Sequence, residues 1–358
     1  MYKKIFKLFL KFYIILSKGL FTLRKYSKRN KIWHDRRCLK LVNKCSNKKR
    51  PLKIDYNKFK PKTFTVVAPS ILSLIKNREE TEKFFSKIID IYNKRLNKGY
   101  ASNDCIYLNF TNISEITTDS LIYLIAITTN LPPKVWYKLH IEYSLPLNEK
   151  ARQVFFDSGF IKYVHRKNPA SYKPTRPTIQ IISGDKVNPC QVADIIEFIK
   201  SHFTYNDNTL RNIYTILIEI MTNTVQHAYK NTDYFVLPKW YLYIDVEDKV
   251  NITILDIGEG IPSTISRRFL KDMIYNLSSN TESYLLSSAL DGDLRTETKQ
   301  PYRGKGLPHI VECYENKYID SLHLISGKGS VYLNRNDNKR KLHYSNENLL
   351  GTLFHFKI

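Results

Sequence analysis

Cysteine is scarce in this chain and follows no pattern. The five residues are Cys38, Cys45, Cys105, Cys190 and Cys313. An odd number at irregular spacing excludes a disulfide framework and reads as reduced thiols, so a cytoplasmic location is expected. His34 lies near Cys38 and Cys45, but the three match no zinc-ligand spacing. Also missing is any uncharged apolar run approaching about 20 residues, which excludes a transmembrane span. Zinc-finger, homeodomain and RNP signatures are absent, so sequence-specific nucleic-acid binding has no support. Acidic residues are nearly missing from one region. Residues 1–62 hold 21 Lys and Arg against only Asp35 and Asp55, and so carry +19 of the chain's +24.

That basic tail has internal order. On a helical wheel at about 100° per residue, Lys3, Lys4, Lys7, Lys11 and Lys18 fall within one arc, and Ile5, Phe6, Leu8, Phe9, Leu10, Phe12 and Ile15 occupy the rest. A narrow cationic stripe on a broad apolar helix suits an anionic membrane surface, where lysine stems snorkel and apolar side chains enter the acyl boundary. Residues 1–23 are therefore expected to lie peripherally on the inner membrane face. Lys7 and Lys11 interrupt the apolar stretch, and no small-residue cleavage site follows, which speaks against a signal peptide. Residues 24–50 are basic without periodicity, suited to phosphates or to a solvated linker.

Beyond the tail, residues 63–168 alternate between strand and helix patterns. Thr63–Ala68, Cys105–Phe110 and Lys138–Tyr143 read as strands. Glu79–Leu96, Asp119–Thr129 and Glu149–Asp157 read as helices, and the whole as an α/β layer domain. A Pro-containing stretch over 169–177 reads as a linker. Residues 178–358 then give strands at Thr178–Ser183, Trp240–Val246, Val250–Leu255, Ser321–Ser326, Ser330–Leu333 and Leu353–Phe356. Turns are expected at Glu247-Asp248-Lys249 and Gly327-Lys328-Gly329. With helices between, this predicts an α/β two-layer sandwich on a mixed, largely antiparallel sheet.

One stretch of that second domain carries chemistry. Tyr214–Tyr229 reads as a single helix with cap candidates at Asn206, Asp207 and Asn208. Glu219, Asn223 and His227 recur every four residues and so stack on one face. Downstream come Asp256-Ile257-Gly258-Glu259-Gly260-Ile261, then Gly304-Lys305-Gly306-Leu307, then Gly351-Thr352. This order, E-x3-N-x3-HA, DxGxG, GxGL and GT, resembles the GHKL ATPases, and the resemblance covers Thr178–Ile358. Earlier, IYLNFTNISEITTDSLIYLI resembles the central unit of STAS domains, the anti-sigma-factor antagonist fold.

The first resemblance implies a Bergerat-type fold that binds ATP and Mg²⁺. Asp256 would accept the adenine amine, with Gly258, Gly260 and Ile261 around the base and Thr352 lining its pocket. Asn223 would ligate Mg²⁺. Glu219 would act as general base, or alternatively as a structural carboxylate paired with a basic residue of the lid. His227 and Ala228 match the pattern, and His227 reads as structural. Arg303, Gly304, Lys305, Gly306 and Leu307 would cradle phosphate at a helix start. The segment between Gly260 and Gly304, polar and rich in Ser and Thr, would be the ATP lid. In the STAS resemblance the phospho-acceptor position falls on Asp119, which also suits a helix N-cap, with Thr118 and Ser120 as the alternative acceptors. The expected function is an ATPase acting as a regulatory switch, with an unidentified protein partner and a homodimer both open. Two alternatives stand beside it: a serine/threonine kinase of the anti-sigma type, and a non-hydrolysing ATP-binding module on a membrane.

Overall fold

The first half builds three short parallel strands, of which the middle one alternates half-buried and buried residues. They are β1 (Thr63–Val67), β3 (Cys105–Asn109) and β5 (His140–Tyr143), in the order β1-β3-β5. A minor parallel pair joins β2 (Ile71–Leu72) to β4 (Glu115–Ile116). Parallel neighbours need crossovers, and helices supply them. These are α1 (Arg78–Asn97) and α2 (Thr118–Asn130), followed after β5 by α3 (Glu149–Asp157) and α4 (Phe160–Val164). Asn148 caps α3 by accepting the Ala151 N–H. The structure is a computed structural model and describes residues 62–97, 105–130, 140–164, 174–226, 239–265, 281–293, 306–335 and 337–358. The helix expected over residues 1–23, the basic stretch after it, and His227, Ala228, Arg303, Gly304 and Lys305 lie outside the described residues. The chain divides into two compact units, Met1–Lys60 and Pro61–Ile358.

The second half builds a larger sheet. Its strands are β6 (Thr178–Gly184), β7 (Trp240–Val246), β8 (Val250–Asp256), β9 (Ser321–Asn334) and β10 (Asp337–Lys357). They run in the order β6-β7-β8-β10-β9, and every neighbouring pair is antiparallel. The final strand in sequence is therefore interior, between β8 and β9. Helices α5 (Pro189–His202), α6 (Asp207–Gln226), α7 (Ile261–Thr264), α8 (Thr281–Asp291) and α9 (Gly306–Glu315) complete the half.

Both faces of this sheet are covered. Trp240, Leu242, Ile244, Ile252, Ile254, Phe354 and Phe356 pack against apolar residues of α5, α6, α8 and α9. The opposite set, Tyr241, Tyr243, Leu255, Ile325 and Leu353, belongs to the core of the first half. Every residue of β7 and of β8 is buried. Two layers were expected for residues 178–358. Within Pro61–Ile358 the first half adds a third, because side chains alternate along a strand and each face needs its own cover. Polar contacts fix this docking. The Tyr123 hydroxyl accepts from the Leu350 N–H at 2.9 Å, and Thr129 and Tyr241 share a hydroxyl hydrogen bond at 2.9 Å. Arg78 pairs with Glu82 at 2.7 Å and donates to the Gly327 carbonyl, while Ser345 donates to the Glu82 carboxylate.

Two sequence expectations are corrected. Gly327-Lys328-Gly329 is not a turn, because β9 runs straight through it and the strand reverses between Asn334 and Asp337 instead. The glycines serve close approach: a Cβ on Gly329 would lie 2.8 Å from the backbone of Glu282 and Ser283, where α8 begins. The Glu282 carboxylate accepts the Lys328 N–H at 2.5 Å. That same helix corrects the second expectation, a mobile lid between Gly260 and Gly304, for Thr281–Asp291 alone. Within that segment Thr281–Asp291 is helical, and it buries Leu286 and Leu290 completely against the core. Its serines misled: Ser283 donates to the His343 carbonyl and Arg340 holds Ser287 and Asp291, so these polar residues are anchors.

Candidate functional site

Helix α6 is the spine of the site. Asn206 caps it by accepting the Thr209 N–H at 2.8 Å. Leu210, Ile213, Ile216, Leu217, Ile220, Met221 and Thr224 form its buried face. Glu219 and Asn223 sit half-buried on the flank, one turn apart as the sequence spacing implied. Opposite them α9 begins at Gly306. A Cβ added there would lie 3.3 Å from Glu219 Oε2 and 3.6 Å from Asn223 Nδ2. The absence of a side chain thus lets the α9 N-terminus, with its unpaired N–H groups, close on both residues. Leu307, the next residue, packs half-buried against the helical core.

The other predicted residues gather where β8 ends. Asp256 is buried, and its Oδ1 accepts the Gly258 N–H at 2.7 Å. Burial pushes its carboxyl up to about 7, opposed by hydrogen bonds from the Gly258 and Thr352 N–H groups and the Thr224 hydroxyl. Sheet register brings Thr352 in, since it pairs with Asp256 on one side and with Ser326 on the other. Ser326 Oγ accepts the Ile261 N–H at 2.8 Å, lies 3.0 Å from Thr352 Oγ1, and donates to the Gly351 carbonyl at 3.0 Å. Gly260 turns the chain into α7 at φ +80°, against Ser326. Asp256, Gly258, Gly260, Ile261 and Thr352 are therefore one cluster, and Glu219, Asn223 and Gly306 another. Helix α6 joins them, because Thr224 reaches Asp256 while its neighbour Asn223 faces Gly306.

Three residues of this arrangement escaped the sequence reading: Thr224, Ser326 and His309. Thr224 and Ser326 are ordinary polar residues at buried strand and helix positions, and only the pairing across β8, β10 and β9 gives them meaning. His309 lies on the first turns of α9, with Nδ1 3.5 Å from Glu219 Oε2. Burial raises the Glu219 carboxyl, and His309 pulls it back down. Among the described residues no group of three or more His, Cys, Asp and Glu side chains is placed to hold a metal ion. Any cation here would depend on a ligand such as phosphate and on neutral donors such as Asn223.

No family model matches the chain, and no curated protein matches it.

The loop resembling a STAS acceptor is built differently from the expectation. Helix α2 starts at Thr118, so Asp119 stands in its first turn and does not cap it. Its Oδ2 instead accepts the Leu74 N–H at 2.7 Å, and Ser120 Oγ shares that donor at 3.1 Å. Thr118, Asp119 and Ser120 are all buried, and burial raises the Asp119 carboxyl. The Asp119 carboxylate and the Ser120 hydroxyl tie α2 to Leu74, two residues past β2, and neither the Thr118 nor the Ser120 side chain is exposed.

Proposed function

We propose that this chain binds ATP with Mg²⁺ and hydrolyses it slowly as a regulatory switch, using a Bergerat-type site on its second half. The observation that carries this reading is the juxtaposition of Glu219, Asn223 and the α9 N-terminus at Gly306, joined through α6 to buried Asp256. A helix N-terminus offers N–H donors to an anion. Asp256, beside Thr352 and Ser326, offers an acceptor for an exocyclic amine, which favours adenine.

The residues fit a magnesium nucleotide. Glu219 Oε2 is buried without a hydrogen-bond partner, and the Asn223 carboxamide lies beside it, a sparse donor set of the kind that leaves Mg²⁺ to phosphates and water. Asn223 would hold the ion, which would neutralise phosphate charge. Glu219 takes a proton from the attacking water as the water oxygen bonds to the γ-phosphorus. The bond from that phosphorus to the β–γ bridging oxygen breaks, the electron pair leaves with ADP, and inorganic phosphate forms. Burial, which raises the carboxyl of Glu219, makes it a better base.

Among the described residues no helix is long and apolar enough to cross a membrane. Residues 1–23 supply the proposed contact with an anionic membrane surface, on the strength of their sequence pattern alone. A kinase that modifies its own Thr118 or Ser120 is disfavoured by the burial of both hydroxyls. The test is incubation of purified protein with γ-labelled ATP and Mg²⁺, following free phosphate and protein-bound label together, with Glu219→Ala and Asn223→Ala beside it. Free phosphate lost in both variants supports the switch. Retained label redirects the reading to phosphotransfer, and failure of wild type to bind ATP overturns it.

A further inference from the structure

Between α6 and α9 runs a chain of side chains that the nucleotide chemistry does not by itself require. Asn212 Nδ2 donates to the Asn208 carbonyl at 2.9 Å. That bond fixes which end of the carboxamide is which, so the atom 3.1 Å from His309 Nε2 is Oδ1, an acceptor. Nε2 must then carry a hydrogen. The Cys313 sulfur, 3.5 Å from Nε2, is a weak acceptor and leaves that assignment standing. The other ring nitrogen, Nδ1, faces Glu219 Oε2 at 3.5 Å, and both atoms are buried without any other partner. A bare lone pair facing a carboxylate oxygen in a buried place would be repulsive. A proton between them turns the same geometry into a charge-assisted contact, which a shift of about half an ångström brings to hydrogen-bond length.

We propose that His309, its ring oriented by Asn212, is a positioning residue that holds the Glu219 carboxyl group through a hydrogen bond at Nδ1. Asn212 and Glu219 lie seven residues apart on α6, two turns, so one imidazole spans them. His309 is three residues past Gly306, on the same helix whose N-terminus meets Glu219 and Asn223. The base and the anion-facing helix end are thereby locked to each other. An unheld Glu219 could rotate away from the water it must deprotonate. The inference rests on the ATPase reading, and it adds the residue that orients the base.

The test combines ring-nitrogen NMR on the full chain, labelled with ¹⁵N-histidine, with steady-state kinetics. In wild type the His309 Nδ1 resonance is expected to show a hydrogen bond to Glu219, and Glu219→Ala to abolish it. His309→Ala is expected to lower kcat about 10–100-fold while KM for ATP changes less than about twofold, a loss confined to the chemical step. His309→Asn, which restores an N–H close to the Nδ1 position, should recover most of that loss. Asn212→Leu, which leaves the ring in place but unoriented, should cost about 3–10-fold in kcat. An Nδ1 outside any hydrogen bond in wild type overturns the proposal, as does unchanged kcat in His309→Ala. So does a loss that His309→Asn fails to rescue, provided that variant keeps the wild-type melting temperature. If ATP binds to wild type but no phosphate appears, the positioning role falls together with hydrolysis. A hydrogen-bonded Nδ1 in a chain that binds no ATP would separate the two, retaining the pair and discarding the nucleotide reading.

Discussion

Gly351 is where the largest effect of a single methyl group is expected. Its backbone stands at φ +86°, in the left-handed region, and a Cβ there would lie 2.6 Å from Asp256 C and from Ile257 Cα, and closer still to the Asp256 carbonyl oxygen. An L-residue held in that conformation costs about 1–3 kcal/mol. The clash adds to it, because the obstructing atoms are backbone and cannot rotate away. Relief to an ordinary contact with that oxygen moves β10 from β8 by more than an ångström, at the row where Thr352 pairs with Asp256. Losing one or two hydrogen bonds there costs about 0.5–1.5 kcal/mol each. Gly351→Ala should therefore destabilise by about 3–5 kcal/mol in total. For a unit of this size that corresponds to a fall in Tm of about 6–15 °C. Urea unfolding followed by tryptophan fluorescence reads it, since Trp240 pairs directly with Asp256. Gly351→Asn separates the two causes. Asn tolerates the left-handed backbone but carries the same Cβ, so it should be nearly as damaging as Ala. A loss below about 1 kcal/mol for Ala would refute the close-approach reasoning.

Four further outcomes follow from buried polar contacts. Asp256 has a carboxyl raised from an ordinary 3.8 to about 7, so its contribution to stability is fully present below about pH 3.8 and is lost as pH rises through about 7. Asp256→Asn should flatten the pH dependence of the urea midpoint over that window, and an unchanged slope would sink the assignment. In the same site the ionised Asp256 is the stronger acceptor for an amine, so ATP affinity by calorimetry should weaken as pH falls below about 7, and the Asn variant should lose that dependence. Tyr123→Phe strands the Leu350 N–H and should cost about 1–2 kcal/mol in chemical unfolding, with no cost if the hydroxyl is dispensable. Glu82→Ala leaves Arg78 buried without its carboxylate and should cost about 3–5 kcal/mol, whereas Arg78→Met with Glu82→Leu should recover much of it.

Local patterns were legible in the sequence wherever one element sufficed to define them. The period of α6, its Asn206 cap and the hairpin from β7 to β8 about Glu247-Asp248-Lys249 follow from neighbours in the chain. The stacking of Glu219 and Asn223 follows from helix geometry alone. What stayed hidden depends on partners far away. Gly327 and Gly329 have turn chemistry, and only the approach of α8 shows why a strand needs them. Ser283 and Ser287 look solvated until β10 supplies their partners. Asp119 looks like a cap, and its partner at Leu74 is 45 residues away. His309 sits beside a proline after a glycine-rich box, with nothing local to link it to a glutamate 90 positions earlier. Likewise β7 and β8 do not alternate cleanly, because Asp245, Asn251 and Thr253 are buried among tyrosines on the face met by the first half.

The covered second face of the large sheet bears on how such a chain can be inherited. Tyr241, Tyr243, Leu255, Ile325, Leu349 and Leu353 have their apolar neighbours in residues encoded before position 165. A gene rearrangement that moved residues 178–358 to a new context would carry a naked patch of large side chains with it, and the product would self-associate. The two halves are thus not interchangeable cassettes. Mutational change on either side of that seam is answerable to the other, so the pair is expected to drift as one unit of descent.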